Sequence, residues 1–448
     1  VTPLSIAFML RSALRLSAAA ALAGALLACG SDDRPGTTPP TPVEPPPNPG
    51  TGTVAPPAAI PVLGQGVVTD RVTAEVSARA GTNGHWVYTS SWGQRFAAGN
   101  VVYVWDGSGN TPVLTDTLII PGVRTTGDVQ VSDDGALLVV ATEPGPQGSL
   151  VLYSLADPAH PRLITRYATP NLAGGVHTAQ VATVNGRRYA FAAVNPSVSL
   201  PARLTVVDLT NPAAPQEVSS TPMGQPVLHD TFVRDGVLFT ANWNEGLVVW
   251  DVGGAGRGGS PASPVRLGSV VTRPSAAGQG ASVHNAYWLH VDGRKRYVAV
   301  GEEQAFGLTV GNAAAGDVHI VDLNDLATPS SWREVAVYHV PNAGTHNFAV
   351  DEARGVLYAA FYNGGVRALD VRGDLGTCTD AQRTADGRCD LVKMGREIGV
   401  ALAGSPRTRD PRTSGEFAPF VWGVDLAGDA LWASDMMGGV FKLRAIVR

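Results

Sequence analysis

Four histidines occupy one equivalent position in four consecutive copies of a repeated pattern: His177-Thr178-Ala179, His229-Asp230-Thr231, His284-Asn285-Ala286 and His346-Asn347-Phe348. Neutral imidazole is a good ligand for copper, zinc and iron alike, so four such side chains converging on one axis would make a transition-metal centre. The competing reading is structural. Each ring could be an internal fixture of its own unit, its nitrogens satisfied by nearby backbone or by the Thr, Asp or Asn that follows, because duplication copies a structural residue as readily as a ligand. On sequence alone the structural reading ranks first. The flanking copies carry Gly127 and Phe420 instead, so the histidines form an arc rather than a full ring. A second group of polar and aromatic residues falls in the turns that should share the histidine face. Within it Asn242, Trp243, Glu245, Glu302, Glu303, Tyr362 and Asn363 are the candidate ligand-binding residues, alongside Glu143, Asn195 and Asp435 in the corresponding turns. His85, His160, His290, His319 and His339 share no register and receive no role.

The elements that would position these residues are short strands. The stretches Arg203–Leu209, Gly246–Val252, Asp317–Leu323 and Gly365–Val371 share a β-branched run ending in Asp. Diverged copies lie at 102–106, 150–155 and 439–443, giving seven in all. Each follows a second strand, as in Val237–Thr240 or Tyr297–Val300, that is introduced by a tight-turn pair such as Asn185-Gly186, Asp235-Gly236 or Asp292-Gly293. An earlier strand and a proline-punctuated turn leading to a fourth complete the unit. Four antiparallel strands repeated seven times predict an all-β, seven-bladed β-propeller over residues 61–448, with units of roughly 55 residues, slightly longer than usual blades. Insertions at 253–264, 304–316 and 378–389 account for the excess. The last copy ends after its third strand, and Pro61–Thr69 resembles the fourth-strand stretch Pro264–Thr272, so the N-terminal strand is expected to complete the final blade and close the ring. The recurrent Asp106, Asp208, Asp251, Asp322 and Asp370 read as turn caps.

Composition agrees with strands and turns. The chain has 448 residues, 52 of them Gly and 33 Pro, and only 16% charged, which excludes long helices and coiled coils. A net charge of −5 gives no electrostatic reason to expect nucleic acid. Residues 1–28 read as a secretory signal, with Arg11 and Arg15 before an apolar run too short to span a bilayer, and Met9 offers a more usual start. Residues 29–60, rich in Pro, Thr and Gly, read as a disordered spacer. Cys378 and Cys389 close a short loop, and an exported chain makes them a disulfide. Hydrolase elbows, phosphate-binding loops, zinc-protease and haem motifs are absent.

Two resemblances add to this. Leu26-Leu27-Ala28-Cys29 resembles the lipobox of bacterial lipoproteins, which implies lipidation of Cys29 and anchorage in the cell envelope, with Gly30 pointing to the outer membrane. The strand motif with its terminal Asp and the following turn Asn211-Pro212-Ala213-Ala214-Pro215 resemble the LVIVD-repeat proteins of exported bacterial chains, which implies a propeller and leaves activity open. The sequence therefore predicts a lipid-anchored envelope propeller that binds a protein, glycan or small ligand. The alternative is a metal-dependent oxidoreductase with copper, zinc or iron on the histidine arc. The sequence assigns no catalytic residue.

Overall fold

The computed structural model describes residues 54–448, apart from 82–83, 94–97, 144–147, 224–226, 276–279, 305–313, 342 and 404–418. The signal segment, Cys29 and most of the spacer lie outside the described residues, as does most of the insertion at 304–316. Among the described residues the only helices are three single 3-10 turns, Pro170–Leu172, Pro329–Ser331 and Asp380–Gln382, and every other regular element is a strand. No helix among them is long and apolar enough to cross a membrane.

The strands form a β-propeller of antiparallel meanders. A representative sheet runs Val176–Val184, Arg187–Val194, Arg203–Asp208, Gln216–Pro222 in simple spatial order. The next is Asp230–Arg234, Val237–Ala241, Leu247–Asp251, Val265–Val270. The order puts the histidine-bearing strand at one edge of each sheet, where it packs against its counterpart in the next. Alternation along a strand explains the continuous apolar runs. In Arg187–Val194, Ala190, Ala192 and Val194 enter one core cluster while Tyr189, Phe191 and Ala193 enter the next. The middle strands are therefore buried on both faces, the outermost strands such as Gln216–Pro222 are more exposed, and the core lies between neighbouring sheets. Fully burying a side chain such as Phe191 or Phe239 stabilises the fold by about 1.5–3 kcal/mol.

Among the described residues hydrogen bonding departs from seven separate four-stranded sheets and gives six. The first two strand sets share an eight-stranded sheet, because Ser91 pairs with Thr126 and its N–H donates to the Thr126 Oγ1 at 3.0 Å. Two sheets gain a fifth, parallel strand. Cys389–Asp390 adds beside Arg333–Tyr338, and Ala58–Ala59 adds beside Glu397–Ala401. The latter corrects the predicted spacer, which does not run as free chain to residue 60: Ile60 is 4% exposed and sits in an apolar cluster with Val356, Ala368 and Leu443. Val62–Gly66 pairs antiparallel with Gly439–Arg444, in the place expected of a fourth strand.

Side chains stitch the inner strands together. An edge strand leaves backbone N–H groups that need acceptors. Asp425 Oδ2 accepts from the Ala78 N–H at 2.7 Å, Ser77 Oγ from Val131 at 3.1 Å, and Asp128 Oδ2 from Ala179 at 2.7 Å, while Gln180 Oε1 accepts from Val233. The strand-end aspartates cap their turns: Asp208 Oδ1 accepts from Thr210 at 2.8 Å, Asp322 Oδ1 from Asn324 at 2.9 Å, and Asp251 gathers five backbone N–H groups of its insertion. Cys378 and Cys389 are disulfide-bonded.

Candidate metal centre

The inner strands do not present their histidines by ordinary alternation. In Val176–Val184 the pairing register jumps between Val176 and Thr178, and in Val283–Trp288 between Val283 and Asn285. His177 and His284 are thus the extra residues of β-bulges, a device that re-aims a side chain next to a functional site. The strand Val421–Ala427 has the same jump between Val421 and Gly423, which makes Trp422 the counterpart of the histidines. This corrects the assignment of Phe420 to that position. The shared signal is the apolar residue just before: Val176, Val283 and Val421.

The four imidazoles touch. Ring centroids lie 4.2 Å apart for His177 and His229, 4.0 Å for His229 and His284, and 4.0 Å for His284 and His346. Trp422 packs on His346 at 4.3 Å and on Trp92 at 5.3 Å, and Trp92 returns edge-on to His177 at 6.1 Å. Six rings therefore close a loop. Gly127 lies beside this loop: a Cβ there would be in ordinary contact with the Trp92 ring at 3.5 Å.

Glu303 enters from the turn after Tyr297–Glu302. Its Oε2 lies 3.5 Å from His229 Nε2 and 3.8 Å from His284 Nε2, and the donor atoms of His229, His284 and Glu303 all lie within 4.8 Å of one another. His177 Nε2 is 2.9 Å from His229 Nε2, and its Nδ1 is held by Glu143, which also accepts from Asn195 Nδ2 at 3.2 Å. A carboxylate on one ring nitrogen fixes the tautomer and directs the other nitrogen to the site. His346 packs on His284 outside the group of close donors, so the predicted four-histidine set becomes two histidines and a glutamate, with His177 adjoining.

Electrostatics separates these rings. Burial and the neighbouring imidazoles hold His229, His284 and His346 well below the usual histidine range, hence neutral. Burial also opposes protonation of His177, but the charge and hydrogen bond of Glu143 outweigh it and raise its pKa. Burial raises Glu303, against the Tyr362 hydrogen bond. Neutral imidazole is the form a metal requires. His284 is 1% exposed and neither ring nitrogen makes a hydrogen bond, and the Nδ1 atoms of His229 and His346 also lack one. Buried polar atoms are normally paired, so the two free His284 nitrogens mark available ligand capacity, whereas His229 Nε2 already meets His177 Nε2.

The candidate turn residues divide. Tyr362 is fully buried and donates its hydroxyl to Glu303 Oε1 at 2.5 Å, and Trp243 stacks on His229 with centroids 5.4 Å apart. Both have positive φ, 37° and 46°, a conformation costly for aromatic residues and held here by paired backbone hydrogen bonds to Val421 and Val283 of the next sheet. Asn363 is half-buried beside Tyr362. Three candidates do not join the site. Asn242 Nδ2 turns inward to Thr240 Oγ1 at 3.1 Å, and Glu245 pairs with Arg266 at 3.5 Å. Glu302 points the opposite way from Glu303, accepting from Ser275 and Asp317 N–H groups and from Gln304. There it meets His319, which the sequence reading passed over. His319 is fully buried, Nδ1 2.8 Å from Glu334 and Nε2 3.4 Å from Glu302, and these carboxylates overcome burial to raise it to about 9. It is a structural cation inside a sheet.

Further along the inner strands lies a cavity of about 370 Å³, whose lining includes Glu75, Asp128, Asp230 and Asp425. Burial raises Asp425 to about 6, and burial with the nearby Asp128 charge raises Asp230 to about 7.

No family model matches the chain and no curated protein matches it. Solved structures share its fold. U3-55K superposes with a TM-score of 0.54 at 10% identity, over 87% of this chain and 100% of that one. Sqt1 of Saccharomyces cerevisiae gives 0.49 at 12% identity, over 86% of each chain. At 10% identity the likeness to U3-55K is one of fold.

Proposed function

We propose that the protein is a lipid-anchored β-propeller of the bacterial cell envelope that binds a transition-metal ion on its axis, with His229, His284 and Glu303 as ligands and His177 as the adjoining donor. The propeller fold is consistent with a binding or scaffold module, and the axial site gives that module a ligand. One observation carries the reading: three donors on separate turns and strands, His284 buried and His229 and Glu303 half-buried, converge within 4.8 Å, two of them imidazoles held neutral. Donors around a tetrahedral ion with bonds of about 2.0 Å stand about 3.3 Å apart. The contacts of 2.9, 3.5 and 3.8 Å bracket that spacing.

The ring itself is read as seven blades, the eight-stranded sheet counting as two. Support comes from the inner strands, which pack in sequence from Val72–Gly81 through Thr125–Val131, Val176–Val184, Asp230–Arg234, Val283–Trp288 and Phe348–Asp351 to Val421–Ala427 and back to the first. The pairing of Val62–Gly66 with the final strand is then the closure. Envelope anchorage rests on the lipobox at Cys29, and kinship with the LVIVD-repeat proteins on the repeated strand motif.

Two histidines and one carboxylate also suit oxygen-activating iron, which makes an oxidoreductase the second reading, with the Tyr362 hydroxyl orienting Glu303. Metal analysis of the purified chain tests the proposal, beside Glu303→Gln and His229→Asn/His284→Asn variants shown to be folded. About one equivalent of copper, zinc or iron in the wild type and little in the variants is expected. Substoichiometric metal in the wild type after incubation with each ion, or equal retention by all chains, overturns it.

A further inference from the structure

The cavity beneath the histidines is chemically unlike them. Among the described residues no Lys, Arg or His lines it, whereas Glu75, Asp128, Asp230 and Asp425 do, each from a different inner strand. Their carboxylates are fixed from behind. Asp128 and Asp425 each accept a neighbouring strand's N–H at 2.7 Å, and Asp230 accepts from Thr231 at 2.7 Å. Each keeps further acceptor capacity. Phe232, Tyr287 and Phe348 also line the cavity, the first two in ring contact at 4.6 Å. Asn285, another lining residue, is 4% exposed and its Oδ1 has no hydrogen-bond partner.

These features select a ligand class. Burial raises all four carboxyl groups, and with no cation among the described lining residues a positively charged occupant would favour their ionised forms. A bare metal ion is a poor match. The carboxylates stand on four strands around the axis instead of converging on a point, and about 370 Å³ is the volume of a small-molecule site. Aromatic walls add favourable contacts for methylene groups and for ammonium over a ring face. We infer that this cavity binds a linear organic polycation of the diamine or polyamine class, its ammonium groups on the carboxylates and its methylenes against Phe232, Tyr287 and Phe348. The cavity shares no lining residue with the proposed metal ligands His229, His284 and Glu303.

Titration calorimetry of the purified chain with spermidine and putrescine tests this, with butylamine, Mg²⁺ and Ca²⁺ as comparisons. Asp128→Asn and Asp425→Asn keep the acceptor that holds the neighbouring strand's N–H and remove the charge; Asp425→Asn also gives up the bond from the Leu426 N–H, so both variants are first shown to be folded. One spermidine should bind per chain, more tightly than butylamine, and each variant should weaken it about tenfold or more, the scale of a charge-assisted hydrogen bond. The Glu303→Gln variant should bind spermidine as the wild type does. Absence of polyamine binding by folded protein, unchanged affinity in both Asn variants, or preferential saturation by Mg²⁺ or Ca²⁺ overturns the inference.

Discussion

His319 offers a stability test with a sign and a size. It is fully buried between Glu302 and Glu334, and Arg388 also pairs with Glu334. Its pKa rises from an ordinary 6.5 to about 9, because the two carboxylates outweigh burial. A group protonated more strongly in the folded than in the unfolded chain stabilises fully below pH 6.5. That contribution falls as pH rises and is gone above pH 9. The difference corresponds to about 3 kcal/mol. With an unfolding entropy of about 0.8 kcal/mol/K for a chain of this size, the melting temperature should fall by about 4 °C on this account alone. The assay is urea and thermal unfolding of the wild type and His319→Gln from pH 6 to pH 9.5. At pH 6 the variant should be less stable by about 3–5 kcal/mol, the cost of breaking a buried ion pair from one side. The gap should narrow by about 3 kcal/mol by pH 9.5. Parallel pH profiles for the two proteins would refute the buried-cation account.

Three further outcomes are expected. Replacing Cys378 and Cys389 together by Ala should cost about 3 kcal/mol by chemical denaturation, as loop-closure entropy for this short loop implies, and an unchanged midpoint would contradict it. A chain beginning at residue 71 lacks the Val62–Gly66 strand and exposes the edge of Gly439–Arg444, so it should melt earlier and self-associate in size-exclusion chromatography. An unaltered monomer would argue against closure by this strand. Tyr362→Phe removes the hydroxyl on Glu303 and keeps the ring on His346, so metal affinity should change while the melting temperature without metal moves by no more than about 1–2 kcal/mol equivalent.

The repeat made much of this structure legible before any coordinates. Strand identity, the turn aspartates and the disulfide followed from local patterns with direct physical causes. The common face of His177, His229, His284 and His346 followed from their register. What the register does not encode is the bulge. Because the extra residue breaks alternation, counting along the strand does not predict where His177 and His284 point, and it misplaced the seventh position at Phe420 instead of Trp422. Adjacent residues of a turn meet opposite fates for a similar reason: Glu303 reaches the histidines while Glu302 turns into its sheet. His319 carried a usable signal. A lone ionisable residue within Val318–Val321 must be buried with partners, and Glu302 and Glu334 lie on the strands either side.

Two kinds of buried histidine thus share one protein. His319 is a cation locked between carboxylates, whereas His229 and His284 are neutral and turn Nε2 toward Glu303. The most direct test of that distinction is anomalous X-ray diffraction from crystals grown with copper, zinc or iron, recorded at the absorption edge of the metal. A single strong peak bonded to His229, His284 and Glu303 is predicted. A peak elsewhere in the molecule, or none at this site with the metal in excess, would contradict the account.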